Sequence, residues 1–180
     1  MFSVYLDTIG FIKPDKRKID IDLRIWHDCY TTGQTKLIRL IKFKNGDWFA
    51  HSLDYYCYND SHCELSNFKI DTLSLSNTWT STWNIIVGEN LLNLPKQEEL
   101  NKKLKTADGE ILVVADGSGY CFEICSRKAK RRFCYGNPNS HFEFYKEKGI
   151  VSEDYKKVLH LIELIDKEFD WTFRVNKTIE

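Results

Sequence analysis

The stretch IDIDLRIW, residues 19–26, sets Ile19, Ile21, Leu23 and Ile25 alternately with Asp20, Asp22, Arg24 and Trp26. Apolar residues recurring with a period of two fall on one face of a pleated strand and leave the charges on the other. The expected element is a strand with one side on a core and the other on water. Working outward, Thr35 to Phe43 reads as a second strand, and Asn45-Gly46 beyond it is the dipeptide that accepts the positive φ of a tight hairpin turn. Trp48 to Leu53 then runs back antiparallel. Leu65 to Leu75 and Trp79 to Val87 are rich in β-branched and aromatic residues, with Ser76-Asn77 between them, which predicts a second hairpin.

Pro95 opens a short polar helix, Lys96 to Lys105, at a position where a missing N–H does no harm, and Asp108-Gly109 ends it. ILVVAD, residues 111–116, reads as an apolar strand. Asp116 to Gly119 turns the chain, and Tyr120, Phe122 and Ile124 alternate with Cys121, Glu123 and Cys125 on the way back. Arg132 to Tyr135 makes a third strand of this meander, closed by Asn137-Pro138. From Ser152 the period lengthens to that of a helix. Ser152 is a suitable N-cap, and Glu153 and Asp154 sit where the helix dipole favours acids. Tyr155, Val158, Leu159, Ile162, Ile165 and Phe169 form an i, i+3, i+4, i+7 stripe that needs a sheet to cover. The fold class is α+β: a single domain over residues 1–180, mainly an antiparallel sheet of hairpins and a meander. It is packed by a C-terminal amphipathic helix and one short central helix.

Composition supports a folded chain. In 180 residues, 42% are hydrophobic and 14% aromatic, far from the profile of disordered sequences. Lys plus Arg equals Asp plus Glu at 26 each, so no global field attracts nucleic acid or an anionic membrane, and any such attraction must be local. The first residues carry Asp7 within an apolar stretch, with neither a basic leader nor a small-residue cleavage site. No apolar run approaches the roughly 18 residues of a membrane span. The expectation is a cytoplasmic protein with no membrane contact.

Six cysteines stand at 29, 57, 63, 121, 125 and 134. Disulfide frameworks belong to short secreted chains with little core, so reduced, partly buried thiols are the favoured reading. His51, Cys57, His62 and Cys63 lie within thirteen positions, with His27 and Cys29 as further donors of the kind zinc accepts. The spacing matches no knuckle, since neither CxxC nor HxxxH occurs, and a Tyr-rich loop with solvated histidines is the favoured alternative. Cys121, Cys125 and Cys134 form a second group, for which His141 is the only nearby base in sequence. No residue is evident to orient that histidine, so structural thiols are preferred to a Cys-His dyad.

The turns at Asp108-Gly109-Glu110 and Asp116 to Gly119 match neither an EF-hand nor a P-loop, and GxSxG, HExxH and GxGxxG are absent. No cofactor is implied, and binding is favoured over catalysis. The densest charge is the run Arg127, Lys128, Lys130, Arg131 and Arg132, with Phe133, Tyr135 and Phe142 near enough in sequence to stack. A solvated hairpin loop is the favoured reading and a phosphate or acidic partner the alternative. Tyr55, Tyr56 and Tyr58 suit an interface core if exposed. Trp79 and Trp83, four apart, share a strand face and read as core.

The run ILVVADGSGYCFEIC, then RRFCYGNP, then SEDYKKVLHLIELIDKEF resembles the C-terminal part of small uncharacterised bacterial proteins. The residues carrying the resemblance are Asp116, Gly117, Glu123, Ile124, Tyr135, Asn137 and Pro138. Some proteins of this broad type act as immunity or antitoxin partners that plug a toxin's active site. The resemblance implies a protein partner and no catalytic residue, with nucleic-acid binding through residues 127–132 and a Cys/His enzyme as competing classes.

Overall fold

The computed structural model describes residues 17–29, 33–59, 62–104, 106, 109–110, 112–114, 117–127 and 129–169, with the side chains of 56–59 and 62–68 outside the description. Six strands form one antiparallel sheet: β1 (Ile19–Cys29), β2 (Gln34–Phe43), β3 (Trp48–Asn59), β4 (His62–Leu73), β5 (Ser118–Ser126) and β6 (Lys130–Gly136). Their order is β4-β3-β2-β1-β5-β6. The first four make a meander, and β5 then pairs with the other side of β1. Between β4 and β5 lie α1 (Trp79–Gly88), a 3-10 turn (Leu91–Asn93) and α2 (Gln97–Lys103). After β6 come α3 (Pro138–Glu147) and α4 (Glu153–Phe169). The α+β class read from the sequence is the class observed, and no helix among the described residues is long and apolar enough to cross a membrane.

The period-two rows become layers of one core. Leu23 is partnered by Leu40 and Ile124, while Ile25 is partnered by Ile38 and Phe122. Phe122 in turn stacks on its partner Phe133, with ring centroids 5.2 Å apart. Over this face pack Trp79, Trp83 and Ile86 of α1, then Leu91, Leu94 and Leu100, and finally Tyr155, Val158, Leu161, Ile162 and Ile165 of α4. The last helix starts where its cap chemistry places it, for Ser152 Oγ accepts the Tyr155 N–H at 3.2 Å. The hairpin turn at Asn45-Gly46 also forms, with Gly46 at φ +97°.

Three expected elements differ. Trp79 to Val87 is helical, because residues four apart share a face at a period of two and nearly so at 3.6. Trp79 and Trp83 therefore still point to the core. The second hairpin gives way to pairing of β4 with β3, and β3 runs on through Asn59. Residues 112–114 form no strand, since β1 takes the place beside β5, and Asp108, Ile111 and Asp116 lie outside the described residues. Asn137-Pro138 does close β6, as expected, and it also starts α3, with proline at the first helical positions where it is favoured. An added Cβ at Gly117, whose φ is +130°, would fall 1.8 Å from Asn137 Oδ1, so this tight entry to β5 requires glycine.

The second face of the sheet is not on water, which corrects the one-sided reading of β1. Trp26, Leu37, Ile41, Leu53 and Tyr55 all point away from the helices and are buried, and Leu37 is 0% exposed, as is its neighbour Ile38 on the helix side. Both faces therefore contribute apolar burial. Leu37→Ala and Ile38→Ala should each cost about 2–5 kcal/mol in urea unfolding, whereas a solvated second face would leave Leu37→Ala below about 1 kcal/mol.

Candidate functional site

The β5–β6 hairpin carries most of the residues singled out for binding, and its ladder decides where they point. The Asn137 N–H donates to Ser118 O at 2.8 Å, and the Ser126 N–H donates to Ala129 O at 2.9 Å. Hydrogen-bonded and non-bonded pairs alternate in antiparallel strands, so Tyr120–Tyr135, Phe122–Phe133 and Ile124–Arg131 carry the bonds between these two. The remaining pairs, Gly119–Gly136, Cys121–Cys134, Glu123–Arg132 and Cys125–Lys130, do not bond each other. Consequently Lys130, Arg132, Cys134 and Gly136 turn their backbone N–H and C=O outward, to the free side of an edge strand.

At Gly136 those groups are taken. The Gln97 amide donates to Gly136 O at 2.9 Å and accepts the Gly136 N–H at 2.7 Å, as a neighbouring strand would. At the non-bonded pair Cys121–Cys134 the Cα atoms lie 4.1 Å apart and the two sulfurs are joined. This disulfide corrects the expectation of reduced thiols at these two positions, because strand register brings them together and a compartment argument cannot see register. Cys29 and Cys125 remain thiols, and the side chains of Cys57 and Cys63 lie outside the described residues.

The five cations are divided by the pleat. Arg131 turns to the helix side, where its guanidinium donates to Leu92 O, Asn93 Oδ1 and Leu94 O. Lys130 and Arg132 turn to the second face. The Lys130 ammonium reaches Glu123 Oε2 at 3.2 Å while its side chain stays 61% exposed. Arg132 is exposed and lies over the Trp26 ring, 5.2 Å from its centroid. Arg127 is exposed at the tip, donating to Arg17 O, and Lys128 lies outside the described residues.

Inside the edge the second face holds a charged row in an apolar frame. Arg39 grips Asp22 through Nε at 2.9 Å and Nη2 at 2.7 Å, and Arg24 bridges Asp22 at 3.2 Å to Glu123 at 3.3 Å. Burial would raise the Asp22 carboxyl, but the hydrogen bonds and charges of Arg39 and Arg24 outweigh it and hold the group below its ordinary 3.8. Burial, followed by the Glu123 charge, pushes the Cys125 thiol up, so the thiol stays protonated at neutral pH. Glu123 has Arg24, Lys130 and its register partner Arg132 around it, and among the described residues Arg132 makes no ion pair.

The other candidates are dispersed. Tyr55 is buried on the second face, where burial raises its hydroxyl, so it cannot serve as an exposed anchor; the side chains of Tyr56 and Tyr58 lie outside the described residues. His51 sits on the second face against Phe49. His27 is on the opposite face, stacked on Tyr120 at 4.3 Å, and burial with the Lys36 charge pushes it down to about 4. The sheet thus separates His51 from His27, and the side chain of His62 lies outside the described residues. Among the described residues no three His, Cys, Asp or Glu gather as metal ligands. His141 stacks on Tyr155 over the helix face while Cys121, Cys125 and Cys134 lie across the sheet, so the alternative of a Cys-His dyad among them does not form. Sequence reasoning missed Gln97 and Trp26 at this edge, which are revealed by the hydrogen bonds of Gln97 to Gly136 and by the register of Trp26 beside Cys121.

No protein-family model, curated protein or solved structure matches the chain.

Because Asp22 is depressed in the fold, the stability it adds is present above its unfolded-state value and is lost as pH falls through the folded one. Resistance to urea should therefore fall as pH drops below about 4. At pH 7 Asp22→Ala should cost about 3–5 kcal/mol, since it strands the buried Arg39, while the apolar pair D22L/R39M should cost much less. Gln97→Ala should remove about 1–2 kcal/mol and expose the Gly136 amide to rapid hydrogen exchange.

Proposed function

We propose that this chain is a protein-binding module, of the type in which a small bacterial immunity protein occludes its toxin. The observation that supports the reading is the edge of β6, where exposed Arg132 lies over Trp26 with no carboxylate paired to it among the described residues, and Lys130 and Arg127 extend the same positive rim. An arginine seated on a tryptophan keeps the edges of its guanidinium open for bidentate capture of a carboxylate. Arg and Trp are also the residues most enriched among binding hot spots.

The nucleic-acid reading draws on the same cations, but Arg131 is turned through the sheet and spent on carbonyls of residues 92–94, which breaks the row a phosphate track would use. The cysteine-enzyme reading through Cys121, Cys125 or Cys134 requires a thiolate beside a base, and the sheet lies between these cysteines and His141. Inhibition is then steric and electrostatic, through an interface of at least about 1,000 Å² in total.

The test is quantitative capture from source cells with the wild type and with K130E/R132E, followed by titration of the captured partner's activity. A partner retained by the wild type, reduced about tenfold or more by the charge reversal and silenced at equimolar ratio carries the proposal. Identical capture by both proteins, or capture of nucleic acid alone, overturns it.

A further inference from the structure

The edge of β6 offers more than charge. Lys130, Arg132 and Cys134 turn three successive backbone N–H and C=O pairs away from β5, and none of these groups has a partner among the described residues. Gly136 would continue the row, but Gln97 already occupies it from the side, in the manner of one residue of a missing strand. An unpaired row of this kind is a template for another extended chain. We propose that β6 accepts an extended acidic segment of the protein partner as a seventh strand, stopped at one end by Gln97. This rests on the protein-binding reading above and specifies its contact.

The length and pattern of the guest follow from the pleat. From Lys130 to Cys134 the open edge spans about five residues, or about 17 Å. Residues of the guest that pair with Lys130 and Arg132 project on the second face beside those cations, so its acidic residues fall at alternate positions. The guest residue opposite Cys134 meets the disulfide and the adjoining Trp26, partner of Cys121, and is small or apolar.

A second copy fits this edge poorly. Antiparallel self-pairing of two β6 strands centred on Arg132 sets Arg132 against Arg132, and like charges directly opposite are destabilising. The same cations that repel a sister chain attract an acidic one, so the edge is guarded against self-assembly and open to its guest.

The probe is a short capped peptide alternating glutamate with threonine, compared with its lysine-for-glutamate counterpart, at low salt and without reductant. Binding is read by amide shifts and hydrogen exchange in the full chain. The acidic peptide should protect the amides of Lys130, Arg132 and Cys134, and the lysine peptide should not. Arg132→Ala and Arg132→Pro both lose the guanidinium, but only the proline removes the outward N–H, without breaking the β5 ladder and at an edge position that tolerates it. R132P should bind the acidic peptide about tenfold or more weakly than R132A. K130E/R132E leaves the backbone edge intact and should exchange the preference, binding the lysine peptide instead.

Protection at other sites, or an acidic peptide that binds R132P as tightly as R132A once circular dichroism shows both variants folded, overturns strand addition. Should R132P fail to fold, K130E/R132E decides alone: no gain of the lysine peptide overturns the proposal. A dimer dissolved by R132P would assign the edge to a second copy, and displacement of the peptide by single-stranded oligonucleotide would assign it to nucleic acid; both contradict it. If the captured partner depends on Lys130 and Arg132 but not on the outward amides, strand addition fails while the protein-binding reading stands.

Discussion

β1 lies in the middle of the sheet with both faces covered, and this constraint shapes everything around it. Its odd-numbered residues Leu23 and Ile25 are apolar and fill the helix-side core. Its even-numbered Asp22 and Arg24 must then be accommodated where water is scarce, and an uncompensated buried charge is far more costly than a paired one. The solution is lateral: Asp22 reaches to Arg39 of β2, and Arg24 reaches to Glu123 of β5. These bonds tie the central strand to both neighbours. A slip of one residue would send the charges into the helix-side core and the aliphatic row into the ion network, so the network specifies register as well as satisfying itself.

Once register is fixed, the edge follows. The parity that bonds Ser118 to Asn137 and Ser126 to Ala129 also sets Cys121 against Cys134 and turns the backbone of Lys130 and Arg132 outward. Gln97 covers the end of that edge, and Arg131 fastens the 92–94 segment to β6 from the helix side. The hairpin is thus held on one side and open on the other. The positive rim and the unpaired edge are two consequences of one pairing scheme, and for that reason they coincide.

Much of the architecture was legible because period and punctuation are local. IDIDLRIW, the Asn45-Gly46 turn and the Ser152 cap each name their element without reference to partners. Trp79 and Trp83 misled because a spacing of four serves strand and helix alike, whereas Asn137-Pro138 was legible as the end of β6 but not as the start of the helix it also opens. Residues 111–116 have the composition of a strand, yet β5 finds its partner in β1, some ninety residues earlier; such pairing leaves no local trace. The candidate site was partly legible: the basic run was visible, but its division by the pleat, the disulfide and the capping by Gln97 depend on register. The burial of Tyr55 depends on cover over a face that alternation alone assigned to water.

The positive rim and the unpaired edge both rest on the inner set Arg39, Asp22, Arg24 and Glu123, two cations and two carboxylates paired away from water on the second face of the sheet. Carbon-13 NMR titration of the Asp22 side-chain carboxyl tests this pairing directly. Gripped by Arg39 and Arg24, the group should stay ionised below its ordinary value of 3.8 until the fold itself is lost. A carboxyl that titrates at or above 3.8 in the intact protein would contradict it, since the row would then be solvated or unpaired.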